Sequence, residues 1–599
     1  VPNAVSSRPL RRAQLALIAV AAAFLLAVVV LAAWVGIRGA LAYGELREVE
    51  SSARTAVDSI ADPAAAAPHI ADVAEHAANA RDLTSDPLWR LAEGAPWIGP
   101  QLSAVATIAA AADDVARDGL VPLADVASAF SADAFRPVDG RIDTAIFTEI
   151  AGPARAGADT VADAAASVSA LDDTPLLAPV RSAVDEVATL LDTGATATDA
   201  LARAATLLPA MLGASGERTY LVAFQNNAEW RSMGGIVGAM AVIRTADGRI
   251  ELTGQGSSSD FRNFGEPVLP LDPEIERIYE TRPGRYIQNV TQIPDFTVGA
   301  PLAREMWLRE SGQSVDGVIA TDPVALSYIL EATGPVELPT GDVLSSENAV
   351  ALLLNDVYAR YEDPRAQDAF FAAASAAVFE RLAAGAADPA TLISALGRAG
   401  DQRRLLLWSA VPEDQAVLAD TTLAGTLPAS DDDTAAFGVF LNDGTGSKMD
   451  YYLTADTRLT WGSCTTDGRG AGAAPLTLDV TLTNNAPADA ATALPEYVTG
   501  GGAFGVPPGV ARTVAYLYLP EGYALSSAVR SDGAGFGGGS HAGRQVMVFS
   551  SDLAPGQSVT ATLTVTPDGG VGVSSASAAV TPTIDANRPT IVVAGCGGA

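Results

Sequence analysis

Residues 13–37 read AQLALIAVAAAFLLAVVVLAAWVGI, a run without a single charged side chain. As a helix rising 1.5 Å per residue this run spans about 37 Å, enough to cross a hydrocarbon core of about 30 Å. Arg8, Arg11 and Arg12 precede it and only Arg38 follows closely, so the positive-inside rule keeps residues 1–12 in the cytoplasm. Everything from residue 38 onward is then expected outside the cell, held to membrane lipid by one retained transmembrane helix over 13–37. A cleaved signal peptide is the alternative, but its apolar region would be shorter, about 7–15 residues. No later stretch matches this one in length and apolarity, so a single-pass protein is expected rather than a polytopic transporter.

The 599 residues are too many for one core and imply several folding units. Apolar residues make up 49% and charged residues 18%, a balance that folds rather than stays disordered. A net charge of -33 repels phosphate backbones and excludes nucleic acid as a partner. Lys448 is the only lysine; arginine carries the remaining positive charge, which fits a GC-rich bacterial genome. The two cysteines, Cys464 and Cys596, each follow a strand-like run, RLTWGSC and TIVVAGC. In an oxidising compartment they are expected to pair as a disulfide, with two buried free thiols as the alternative.

Patterning divides the exported part in three. From 38 to 212 the chain is alanine-rich with apolar residues at helical spacing, as in Leu46, Val49, Ala53, Val57 and Ile60. Breaks are expected at Pro63, Pro87, Pro100 and Pro153. From 213 to 425 strand runs (TYLVAF, IVGAMAVIR, RIELTG, VDGVIA) interleave with helical stretches (PVALSYILEAT, 345–358, 368–384), which predicts a central α/β or α+β domain. From 426 to 599, after the acidic run Asp431–Asp433, short strands separated by Gly, Pro, Asp and Asn predict a β-sandwich of immunoglobulin-like type. Within it DGAGFGGGS at 532–540 reads as a flexible loop.

The three histidines, His69, His76 and His541, show no metal spacing, and HExxH, CxxC and G-x-S-x-G are absent. GTGSK at 444–448 lacks the order of a phosphate-binding loop and reads as an ordinary turn. The concentration of polar residues is QNNAEWRSMGG, directly after TYLVAF, at a strand end where sites often sit in mixed folds. Asn226, Asn227, Glu229 and Arg231 are its candidate ligand-binding residues, because Asn-Asn beside Gly-Gly is not a choice that strand packing makes.

This run, with VDGVIATDPVALSYILEATGPVELP at 315–339 and the helical segment after it, resembles the bacterial family called domain of unknown function 4012, over about 213–385. In order of elements the region is more distantly similar to the LytR-CpsA-Psr phosphotransferases. That resemblance implies transfer of a glycopolymer from a polyprenyl-pyrophosphate carrier, outside the membrane and from a single anchor. The positions similar to that family's arginine-aspartate runs are Arg231, then Asp260 and Arg262, then Arg360, Asp363 and Arg365 ahead of Gln367. Arginine forks suit pyrophosphate oxygens, and Asp260 and Asp363 are the candidate ligands for Mg2+. The pattern departs from the family at Arg231-Ser-Met-Gly234, where an aspartate is replaced, and at Asp260 and Arg262, where the order is reversed.

Two functions follow as expectations. One is an envelope protein with an anionic or polyprenyl-pyrophosphate site, serving glycopolymer assembly, with Arg231, Arg262, Arg360 and Arg365 converging on one pocket. A lipid tail would then need a groove lined by Ile236, Met240 and Val242 or by Leu352–Leu354. The other is a non-catalytic envelope scaffold or interaction protein.

Overall fold

Between Ala13 and Asp58 there is no proline, and the chain forms one unbroken helix, α1 (Arg8–Asp58), that carries the apolar run and continues about six turns past it. This structure, a computed structural model, describes residues 8–58, 63–128, 136–138, 140–431, 434–462, 475–568 and 575–594. Two compact units are present: residues 1–135 with 143–209, and residues 136–142 with 210–599.

The first unit is helical. After α1 come α2 (Pro63–Thr84), α3 (Pro87–Glu93), α4 (Gly99–Asp114), a π-helical turn at Val115–Leu120, α5 (Val121–Ser128), α6 (Ala145–Ser169) and α7 (Ala178–Met211). Helix α2 runs back along α1, since His76 meets Glu45 at 2.7 Å and the Arg38 Nε donates to the Leu83 carbonyl at 2.9 Å. Three of the four expected proline breaks fall at helix starts. The fourth does not: α6 runs through Pro153. Gly152, before the ring, has no Cβ to clash with it, and Glu149, whose carbonyl loses its donor, is an exposed residue.

The second unit opens on a mixed sheet of order β3-β2-β1-β4-β7. Its strands are β1 (Arg218–Arg231), β2 (Gly234–Ala246), β3 (Arg249–Ser257), β4 (Gly317–Thr321) and β7 (Leu405–Ser409); β5 (Val336–Glu337) and β6 (Val343–Leu344) form a small separate hairpin. β1 and β4 are parallel, joined by a crossover containing α8 (Pro273–Tyr279) and α9 (Phe296–Ser311), and the other pairings are antiparallel. α10 (Pro323–Thr333) starts at the end of β4 with Asp322 as its cap. Further helices follow at Pro364–Ala383 and Pro389–Asp401.

Beyond residue 433 the strands are β8 (Thr434–Asp443), β9 (Leu453–Gly462), β10 (Leu476–Asn484), β11 (Ala511–Tyr518), β12 (Tyr523–Arg530), β13 (Gly537–His541), β14 (Arg544–Leu553), β15 (Ser558–Pro567), β16 (Ser575–Val580) and β17 (Thr590–Ala594). They make two five-stranded sheets, β12-β15-β10-β9-β17 and β13-β14-β11-β8-β16. Alternation buries Leu476, Leu478, Val480 and Leu482 of β10 in one core with Val439, Leu441 and Leu517 of the other sheet. The glycine-rich stretch is not all loop: Gly537–His541 is the edge strand β13, paired with β14. A Cβ at Gly538 would stand 2.2 Å from the Val546 carbonyl oxygen, so the glycines permit close pairing here instead of supplying flexibility.

The hydrophobic cores do not divide near residue 425. One joins the β-sheets to Leu330, Leu353, Tyr358 and Phe370 of the central region, and a second joins the central sheet to Phe440, Tyr516, Tyr518 and Val546. Met240 and Val242 lie in the second core, Leu352 and Leu353 in the first, and Leu354 is fully packed. Five of the six residues expected to line a lipid groove are therefore packed in the interior, four of them divided between two cores, and Ile236 is half-buried.

Candidate functional site

The register of β1 against β2 breaks within the conspicuous polar run. Asn226 pairs with Ile236, but the next pair is Trp230 with Gly235, so Asn227, Ala228 and Glu229 bulge out of the ladder. The Gly-Gly pair makes this bulge fit. A Cβ on Gly235 would lie 2.1 Å from the Asn226 carbonyl oxygen, and Gly234 has φ of 131° with the Gln225 side chain against it. The Gln225 Oε1 accepts from the Gly235 N–H at 2.9 Å and closes the bulge from within.

The bulged residues enter the β-rich region of the same unit. Glu229 forms a buried ion pair with Lys448, whose ammonium also lies 4.8 Å from the Tyr358 ring centroid and 4.9 Å from that of Tyr497. Burial pulls the Lys448 pKa down, but the Glu229 carboxylate and the two tyrosines outweigh it and the net shift is upward. The Trp230 N–H donates to Asp450 at 2.7 Å, and Ser232 exchanges two bonds of 3.0 Å with Asn442. Asn226 donates to the Tyr358 hydroxyl at 2.6 Å.

A second buried pair lies alongside. Asp322 accepts from Arg404 at 2.7 Å and from Asn227 at 3.0 Å, while its other oxygen caps α10 through the Ala325 N–H at 2.7 Å. Arg404 continues to the Thr583 carbonyl at 2.6 Å, and Asn227 to that of Pro582 at 3.1 Å. The run thus bonds to stretches far away in the chain, among them the β4–α10 junction, Tyr358, β8 with the turn after it, and the segment after β16.

Acid is in excess around this cluster. Burial raises the Asp443 pKa to about 6, and raises Asp450 well above the carboxylate range with help from Asp443. The Asp443 Oδ1 accepts from the Thr445 N–H at 3.0 Å and its hydroxyl at 2.8 Å, whereas its Oδ2 is buried with no hydrogen-bond partner. An oxygen so placed is tolerable when it carries a proton.

Of the remaining candidate residues Arg231 stays beside the cluster, close enough to Asp443 and Asp450 to favour their charged forms, and the others lie elsewhere. Arg231 donates to Asn289 at 3.0 Å and to the Trp230 carbonyl at 2.7 Å. Arg262 stacks on Phe264 and faces Glu310 at 3.6 Å. Arg360 pairs with Asp342 at 2.6 Å and holds that carboxyl below its usual range, and Arg365 is exposed. The four arginines share no hydrogen-bond or ion-pair partner, and none of them lines the cavity described below. Asp260 closes a capping box on the Ser257 N–H at 2.8 Å; Asp363 caps the helix Pro364–Ala383 through the Arg365 N–H at 3.0 Å. The two carboxylates proposed for Mg2+ are thus used as helix caps, and among the described residues no cluster of three or more His, Cys, Asp or Glu is arranged to hold a metal. The residues present do not fit that ion.

Arginines do meet at another place. A cavity of about 510 Å³ is lined by Arg403, Arg404 and Arg588, with Asn587, Val580 and Pro582. Arg403 sits at φ of 56° and donates to the Thr426 carbonyl. Sequence reasoning missed Asp322, Arg404, Asn442, Asp443, Lys448 and Asp450. The one available signal was Lys448, a lone lysine among 37 basic residues, in a turn that looked unremarkable. Cys464 and Cys596 lie outside the described residues.

No curated protein and no solved structure matches the chain. Residues 215–358, which contain β1, its bulge and α10, match the family described as protein of unknown function (DUF4012).

Proposed function

We propose that this is a membrane-anchored, extracytoplasmic protein of the bacterial envelope that works as a non-catalytic scaffold. The observation that supports it is the use of the polar run: Asn227, Glu229, Trp230 and Ser232 are buried in bonds to Asp322, Lys448, Asp450 and Asn442. A run spent on internal bonds leaves little to bind substrate. In this reading α1 anchors the protein with its N-terminus inside. The C-terminal sheets, taken as an immunoglobulin-like sandwich, present the interaction surface. The test is to purify the full chain from membranes and search for bound polyprenyl phosphates by mass spectrometry. The scaffold reading expects none, and no Mg2+-dependent affinity for a polyprenyl pyrophosphate; stoichiometric lipid lost on Arg231→Ala would overturn it.

The arginine-lined cavity favours a second reading, an anionic ligand held by Arg403 and Arg588 instead of the arginines of the LytR-CpsA-Psr-like pattern. Pyrophosphate binding abolished by Arg403→Gln with Arg588→Gln would support it, with glycopolymer assembly as one setting. The disulfide belongs to the same envelope setting. β9 and β17 are parallel with Gly462 opposite Ala594, and each cysteine follows two residues later. Pairing would close a loop of more than a hundred residues, worth roughly 4–5 kcal/mol on the chain-entropy model. Alkylation of both thiols in the folded, oxidised protein would refute it.

A further inference from the structure

Outside the apolar run, the first unit exposes Leu41, Tyr43, Leu190 and Leu201 along its long helices, and five further apolar side chains that no described residue covers gather on α3 and the turns at one end. Trp97 is 91% exposed, Leu91 66%, Leu177 64%, Ile98 54% and Leu88 44%. Trp97 also sits at φ of 69°, a left-handed conformation that a bulky residue adopts only at a cost. The neighbouring Gly99 has no room for a Cβ, which would fall 2.1 Å from the Glu93 carbonyl oxygen, so the chain must turn sharply here. Packing fixes the turn, yet the turn leaves the tryptophan exposed, away from the described residues around it.

The position of these turns along α1 identifies what they face. Arg38 is held at the end of the uncharged run by the Leu83 carbonyl at 2.9 Å and by Asp86 at 3.1 Å. From there α3 and the start of α4 do not continue outward. Trp89, Ala92 and Leu102 pack with Val35, and Leu31 joins the same cluster. Leu31 lies seven residues before Arg38, about 10 Å back along the helix toward the middle of the uncharged run. Further along, Ile108 and Ala111 of α4 share a cluster with Leu46, and Ala112 with Val49 and Ala53. Helix α4 therefore rises away from the uncharged run, and its N-terminal end, with Ile98 and Trp97, points back toward it. The α6–α7 turn is tied to the same end, since Gln101 donates to the Pro175 carbonyl at 2.8 Å and accepts from the Leu177 N–H at 2.9 Å.

We infer that this end of the helical unit is a second membrane contact: the α3–α4 corner and Leu177 insert into the interfacial layer of the bilayer that α1 crosses. The inference rests on the reading of α1 as a membrane span and adds to it. Tryptophan and leucine favour the interface, and exposed Arg90, Asp172 and Asp173 at the same end keep the contact shallow, in the headgroup layer. A protein partner would not need to lie level with Leu31 and Val35, whereas the bilayer is already there by continuity with α1.

The test places a fluorescent amino acid, by codon suppression, at residue 97, at residue 29 in the apolar run, or at exposed residue 163, in the full chain reconstituted into phosphatidylglycerol–phosphatidylethanolamine vesicles. Residue 29 should be quenched by doxyl lipid and residue 163 by aqueous iodide. Residue 97 should be quenched by lipid carrying a shallow doxyl group and protected several-fold from iodide relative to residue 163. The same label at Leu91 should lose its lipid quenching in a Trp97→Asn chain. Iodide access at 97 equal to that at 163, with residue 29 still lipid-quenched, overturns the inference and leaves the anchor standing. Loss of lipid quenching at 29 overturns the anchor reading and this inference with it.

Discussion

At the scale of single residues, the decisive fact is that Lys448, the chain's one lysine, is buried against Glu229 between two tyrosine rings. Removing one member of a buried pair leaves an uncompensated charge, a loss of about 3–5 kcal/mol, whereas replacing both with apolar groups is often neutral. Lys448→Met should therefore destabilise by that order in chemical denaturation of the full chain, and adding Glu229→Leu should restore most of the loss. The neighbouring acids set a pH dependence. Burial raises the folded-state pKa of Asp443 to about 6, above the ordinary value of 3.8. A raised carboxyl pKa means the fold favours the proton, so the contribution is complete below the unfolded value and disappears as pH rises through about 6. Stability should be greater at pH 5 than at pH 8, and Asp443→Asn should shrink that difference by about 1–3 kcal/mol. An unchanged difference in the variant would mean the dependence comes from other groups.

At the scale of elements, the bulge in β1 shows what could and could not be read in advance. Strands β1, β2, β3 and β4, helix α10 and the helices near 349–360 and 364–383 follow from periodicity and punctuation in the sequence. The oddity of Asn-Asn beside Gly-Gly was also legible, because such residues do not pack well in a strand. What the oddity served was not. The partners of Asn227 and Glu229 lie at Asp322, Pro582 and Lys448, separations of up to 355 residues that no local pattern encodes. The arginine pattern misled for the complementary reason: Arg360 and Asp342, or Arg262 and Glu310, are nearby pairs whose mutual satisfaction becomes visible only when the fold is known. Gly235→Ala tests the element directly. With a methyl group 2.1 Å from the Asn226 carbonyl, the bulge must shift, and a loss of about 1–3 kcal/mol or more is expected. A variant as stable as wild type would show the bulge to be soft.

At the scale of the whole molecule, each of the two units has its own physics. The helical unit is built on α1 and its apolar run. In the second unit two hydrophobic cores each draw on both the central sheet and the C-terminal sheets, with the polar run of β1 bonded between them. A sequence split near residue 425 looked natural because helices give way to strands there, but a change of secondary structure is not a change of core. The scaffold reading depends on that continuity: a run that locks two sheets systems together has a structural use that explains its composition. Native-state hydrogen exchange of the full chain, resolved by peptide, tests this most directly. The account predicts that β1, β4 and β7 and strands β8, β10 and β11 exchange through one global opening with the same free energy, and that Lys448→Met lowers all of them equally. Independent opening of the C-terminal sheets, with β1 and β4 still protected, would contradict it.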